Sequence, residues 1–285
     1  MGHALLVGLE KWKLFFGLHY SPGLYAKVLL GLIPFIVFGW LYMSKAYERH
    51  EANEHDKLMP YPSKMVEKAK EYVVKHDRRS KKNLFIEDVK STFKLFGIGV
   101  LLYSLSALFL GVMMGIFPWF RALMTPFILV ISIVPALAIL PIIFITFGTD
   151  DAGKIAVIVI GNLFLMTRDI SRQTSEIPKH NVIKALTLGA NNWQIIRRVI
   201  IPQVLPRFIE TVRIYLSPAW LFLIAAEYSS SVYGLACRIL YQTRQSNMAL
   251  IIPIVIFMTA VGLFLNVLCI LANRGFFPWY KPVKA

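Results

Sequence analysis

A chain of 285 residues that is 56% hydrophobic, with a mean hydropathy of +0.58, is too apolar for a soluble domain, which runs at about 45–50% apolar. Its net charge of +15 comes from basic residues spread over the flanks of apolar runs, as an anionic inner leaflet favours, and no nucleic-acid motif accompanies them. Cys237 and Cys269 are too few and too apolar in setting for a disulfide framework or a metal site. A lipid bilayer is the expected surrounding; nucleic acid, a metal and a cofactor are not expected.

Met1–Tyr25 has no apolar core followed by a small-residue cleavage site, so no cleavable signal peptide is expected. Residues 1–23, with Lys11 and Lys13, read as an inner N-terminal segment. The charge-free run Val28–Met43, extended back through Leu24, predicts a first span over 24–43, since a helix needs about 20 apolar residues to cross the hydrocarbon. The connection 44–94 holds thirteen basic and nine acidic residues. Charge orients long connections poorly, and this one is placed outside. Within it, Met65, Val66, Ala69, Tyr72 and Val73 recur at helical spacing opposite Lys and Glu, with Ser63 as the N-cap. They predict an interfacial helix over 63–76, with Glu67–Lys70 and Glu71–Lys75 spaced to pair. His50, His55 and His76 read as solvated.

Leu95–Phe120, Ala122–Thr149 and Gln245–Asn273 are free of charge and long enough to span. Pro135, Pro141 and Pro253 remove helix hydrogen bonds and predict kinks. Ile155–Thr167 and Ile214–Ala226 are shorter and bounded by charge, so hydropathy alone leaves four to six spans. Arg168–Arg213 holds eight basic residues against three acids, which argues for the cytoplasmic side. Arg168 and Asp169 read either as a translocation path or as a solvated helix end. Glu227 reads as a gate or a structural group, and Tyr228 with the serines after it as hydroxyl donors or helix caps. Membrane-edge charges of this kind usually pair or line a wet cavity.

Between Pro178 and Pro206 lies a polar and basic block. Asn181–Leu188 predicts a short helix that Gly189 ends. Asn191 and Asn192 can cap a second helix from Trp193, whose length Pro202 limits. Two amphipathic helices meeting at a glycine would form a lug that a soluble partner can grip. No G-x-x-x-x-G-K-[ST] phosphate loop is present, so ATP hydrolysis by that mechanism lies outside this chain.

The block resembles the docking loop of bacterial ABC importer permeases, E-A-A-x-x-x-G, nine residues, then I-x-L-P. Gly189 fills the glycine, Ala185 the second alanine, Val199 the isoleucine, Ile201 the leucine and Pro202 the proline. Ile183 and Lys184 stand where the family usually has Glu and Ala. Leu58–Ser63, Phe147-Gly148 with Lys154-Ile155, Ala219-Trp220, Ala225-Ala226-Glu227, Gly234-Leu235 and Phe277-Pro278-Trp279 are similar to the nitrate/sulfonate/taurine branch. The resemblance covers roughly Leu24 to the C-terminus. It implies an all-α membrane protein of the type I importer kind. Six spans are implied, with spans 2–6 over 95–285 and a cytoplasmic coupling loop, 172–206, between spans 4 and 5. It implies an ATPase on a separate subunit, gripping Asn181, Ile183, Lys184, Ala185, Leu186, Thr187, Leu188, Gly189 and Ala190. Arg168, Asp169, Glu227 and Tyr228 would then mark the path or gate. An external solute-binding protein and a second, identical permease chain are the other implied partners, and a small anion or small organic nutrient the cargo. A secondary carrier and a permease-derived scaffold or sensor are the competing readings.

Overall fold

The computed structural model describes residues 23–53, 57–76, 82–230 and 232–280. Residues 1–22 with Lys11 and Lys13, together with His55, Ser231, Lys281 and Lys284, lie outside the described residues. The chain divides into two compact units, residues 1–62 and 63–285.

The first unit is helix α1, Leu24–Ala52, with Pro34 inside it. It runs past the predicted end at Met43, because the polar continuation from Ser44 contains no breaker and Lys45 pairs with Glu48 at 2.6 Å. The chain then folds back on α1. The Tyr42 hydroxyl donates to the carbonyl of Pro60 at 2.8 Å, and the Tyr61 ring lies 4.1 Å from that of His50.

The second unit opens with α2, Pro62–Val74, close to the predicted 63–76. Proline takes the first helical position here, so Ser63 lies inside the helix and is not its N-cap. Lys68 pairs with Glu71 at 2.7 Å. The helices that follow are α3 (Leu84–Ile116), α4 (Pro118–Ile133), α5 (Leu140–Phe147) and α6 (Asp151–Ser175). After them come α7 (Lys179–Thr187), α8 (Asn192–Ile195), a π-helical turn (Ile196–Ile200), α9 (Ile201–Ser230), α10 (Leu235–Arg244) and α11 (Met248–Phe276). Among the described residues, four helical stretches are long and apolar enough to cross a membrane: Tyr25–Glu51, Leu84–Ile116, Asn192–Ser229 and Met248–Phe276.

The core forms where α3, α6 and α9 pack. On α3, Gly99, Tyr103, Ala107, Gly111 and Gly115 recur every fourth residue, and on α6 so do Ile158, Asn162, Met166, Ile170 and Thr174. Gly99 meets Ile158, Gly111 meets Ile170 and Gly115 meets Thr174. Contacts therefore advance together along both helices, and the two run parallel. The small residues Gly99, Ala107, Gly111 and Gly115 let the backbones approach closely, which replaces the hydrophobic drive that is lost between helices in lipid. The pairs Gln173–Thr211 at 2.9 Å and Tyr215–Asp169 at 2.9 Å advance in opposite senses, so α6 and α9 are antiparallel. A Cβ on Gly111 would lie 2.7 Å from two carbons of Ile170. Gly111→Leu is expected to cost about 3 kcal/mol or more through overpacking, read as loss of the monodisperse peak in fluorescence-detected size exclusion.

Parallel α3 and α6 require the intervening chain to return, which α4 and α5 do. This corrects the expected kink at Pro135: the run Ala122–Thr149 is two helices with a break between them. Pro135 ends α4 instead of bending it, because proline disfavours the helical conformation of the residue before it. Val134 is accordingly extended, at φ −66° and ψ 124°. The expectation that Pro202 limits its helix is also corrected. In the π turn the N–H of Ile201 bonds back to the carbonyl of Ile196. The register shift absorbs the donor that Pro202 lacks, and α9 continues through Pro206 and Pro218.

Candidate functional site

At one end of the bundle the chain builds the lug. The Gly189 N–H bonds to the carbonyl of Leu186 at 2.9 Å and the Ala190 N–H to that of Ala185 at 3.0 Å. These two bonds are a Schellman closure. It requires the left-handed backbone that Gly189 supplies at φ +81°. Asn191 then starts α8 with a reciprocal cap. Its side chain accepts from the Gln194 N–H at 2.8 Å, and its own N–H donates to the Gln194 side chain at 2.9 Å. Val182, Ala185 and Ala190 pack inward on the core. Ile183 (57% exposed), Leu186, Leu188 and Trp193 face outward. The exposed surface of the lug therefore sets these apolar side chains among exposed Lys179, His180, Lys184, Thr187 and Asn192.

Arg121 braces this end. Its guanidinium donates to the carbonyls of Met114 at 2.9 Å and Gly115 at 3.0 Å, and to the Ser175 hydroxyl. It thus caps the last turn of α3 while joining the ends of α3 and α6. A groove of about 670 Å³ opens beside it, with Lys179, Ile183 and Leu186 among its lining residues. The C-terminal segment docks nearby on α9. The Tyr280 hydroxyl donates to Glu210 at 2.7 Å, and burial followed by that carboxylate pushes its phenol pKa up to about 12.

Arg168 and Asp169 lie within α6, which continues to Ser175. Asp169 accepts from the Tyr215 hydroxyl, and Arg168 is exposed. Glu227 is twelve residues beyond Tyr215 on α9, about 18 Å at the rise of a helix. The four candidate path residues therefore form two separate places, one around Asp169 and one around Glu227.

Glu227 is 1% exposed and has both oxygens engaged. One accepts from the Thr92 hydroxyl at 2.7 Å, the other from the Ala236 N–H at 2.9 Å. Thr92 in turn accepts from the Leu235 N–H at 2.8 Å. Asp88, fully buried, accepts from the Gly234 N–H at 2.9 Å, from Arg238 at 2.9 Å and from the Tyr72 hydroxyl at 2.6 Å. The otherwise orphaned N–H groups at the start of α10 are thus met by side chains of α3 and α9, and the two carboxylates suit the positive end of its dipole. Gly234 is required at this clasp. Its φ is +143°, and a Cβ there would lie 2.6 Å from the Glu227 carboxylate. Burial, then the charge of Asp88, pushes the phenol pKa of Tyr72 well above its ordinary value, so it stays a donor. Tyr228 is 38% exposed, and Ser229 bonds back to the Ala225 carbonyl of its own helix at 3.2 Å. Beside the clasp a cavity of about 970 Å³ opens between α2 and α10, lined by Lys68, Lys75, His76, Arg238 and Tyr241 among others.

A family model, binding-protein-dependent transport system inner membrane component, matches residues 107–281. The chain belongs to this family. It is an inner-membrane permease subunit of an ABC importer, and the comparisons do not favour a carrier or a scaffold. A protein of Methanocaldococcus jannaschii described as an ABC transporter permease is 30% identical over 187 residues, 65% of this chain and 70% of that one. The taurine transport system permease protein of Escherichia coli is 31% identical over 141 residues, 50% of this chain and 48% of that one. The fold matches the crystal structure of a bacterial ABC transporter involved in the import of the acidic polysaccharide alginate. That match has a TM-score of 0.61 at 15% identity, covering 89% of this chain and 96% of the other.

Sequence reasoning singled out the permease's lug and Glu227 but not Asp88, Thr92 or Arg238, and placed Tyr72 only on the apolar stripe of its own helix. Asp88 and Thr92 fall in the polar stretch before an apolar run, where solvation is the ordinary expectation. No local signal marked them, since an acid-free first turn like that of α10 is shared by most of the described helices.

Proposed function

We propose that this permease moves a small anion or small organic nutrient into the cell by alternating access, driven by an ATPase on a separate subunit. Two identical permease chains pair, and a solute-binding protein delivers cargo outside. Six spans, α1, α3, α4 with α5, α6, α9 and α11, leave both termini inside. The parallel run of α3 and α6 supports this, since it needs one return crossing between them. The observation that carries the reading is the lug, a pair of short helices closed at Gly189 that exposes Ile183, Leu186 and Leu188 among basic and polar side chains. ATP-driven closure of the ATPase pair would push the lug, and rigid-body rocking of the spans would switch the opening. Arg168 and Asp169 mark the path, the clasp around Glu227 with Tyr228 holds its outer end, and α2 meets the binding protein.

Co-purification tests it: the permease should bring an ATPase whose turnover rises with loaded binding protein. Unstimulated hydrolysis would overturn the importer reading. Ile183→Glu should weaken the ATPase about tenfold without unfolding the chain, because a charge would enter a socket shaped for an apolar side chain. Tighter binding would mean that the socket is basic. For topology, single cysteines at Lys57 and Asn191, in a chain lacking Cys237 and Cys269, should label from opposite faces of intact cells. Only Lys57→Cys should react with an impermeant reagent; labelling of both overturns the six-span arrangement.

A further inference from the structure

A second groove, of about 350 Å³, runs between α3 and α9 on the side lined by Leu105, Phe109, Val112, Ile201 and Leu205, with Trp193 at one end. We propose that it seats an acyl chain of an anionic phospholipid of the inner leaflet, whose phosphate is held by Arg197 and Arg198. Every lining residue is apolar. From Leu105 to Met113 the α3 wall rises about 12 Å, a length suited to a chain entering from the interface.

The headgroup end is marked by a different chemistry. Trp193 is 66% exposed and Trp119, at the same end of the bundle, 65%, as expected of a membrane–water interface. Arg197 lies four residues from Trp193 and four from Ile201, both of which line the groove, and Arg197 and Arg198 are exposed. Between Glu176 and Glu210 the sequence contains no acid, so the cations at the mouth lack acidic neighbours in that stretch. An anionic lipid complements them. A second copy docked through this patch about a two-fold axis would meet the same patch on itself, bringing arginines towards arginines. Only the leaflet rests on the topology proposed above; lipid binding itself does not depend on it.

Native mass spectrometry of the purified permease–ATPase complex tests the inference in micelles doped with phosphatidylglycerol or with phosphatidylcholine of the same chains. One phosphatidylglycerol per permease chain should be retained, at about a tenfold preference. The surface double variant Arg197→Gln/Arg198→Gln should reduce that preference to within about twofold. Leu105→Trp, at a half-exposed groove residue, should reduce retention of both lipids. Equal retention by the wild-type protein, or a preference that survives the double variant, overturns the proposal. Separation of the permease pair by Leu105→Trp also overturns it and assigns the groove to a second copy.

Discussion

Replacing Glu227 with alanine should destabilise the purified permease by about 2–5 kcal/mol, because two buried donors lose the acceptor that satisfies them. The Thr92 hydroxyl and the Ala236 N–H lose their acceptor, each at about 1–3 kcal/mol when buried. Glu227→Gln keeps the shape and one acceptor and should cost about half as much. Denaturation of the detergent-solubilised protein, followed by tryptophan fluorescence, measures both. An alanine variant within about 1 kcal/mol of wild type would mean that water replaces the carboxylate and that the clasp does not hold α10.

Gly189→Val should uncouple the importer while leaving the spans folded. A Cβ at Gly189 meets nothing within 4 Å, so the cost is confined to the backbone. At φ +81° a left-handed conformation costs an ordinary residue about 1–2 kcal/mol, and a β-branched one is a stronger outlier. That reduces the population of the closed lug about 5–30-fold, and uptake per ATP hydrolysed should fall on that order. Circular dichroism should be unchanged. Wild-type coupling in this variant would remove the lug from the ATPase contact.

The membrane class, the amphipathic helix at Pro62–Val74 and the lug were legible because each is a local property. Apolar run length sets a span, helical spacing sets an amphipathic face, and Gly189 ends a helix whatever lies around it. The lug's reciprocal cap needs only Asn191 and Gln194, three residues apart. The two proline readings failed on backbone detail: the π turn before Pro202 shifted the register past its missing donor, and the residue before Pro135 turned extended and ended its helix.

By itself the sequence determined that this is a membrane protein with long apolar helical spans and that Gly189 ends a short helix between them. Those follow from solvent and backbone preferences that act within a few residues. Tertiary structure alone decided that Asp88 and Thr92 are buried, that Glu227 closes a clasp, and that Asp169 meets Tyr215 well away from it. Each of these joins side chains tens to more than a hundred residues apart, and burial in a low-dielectric core makes every such bond obligatory once packing has removed water. No local pattern encodes which distant group will supply the partner.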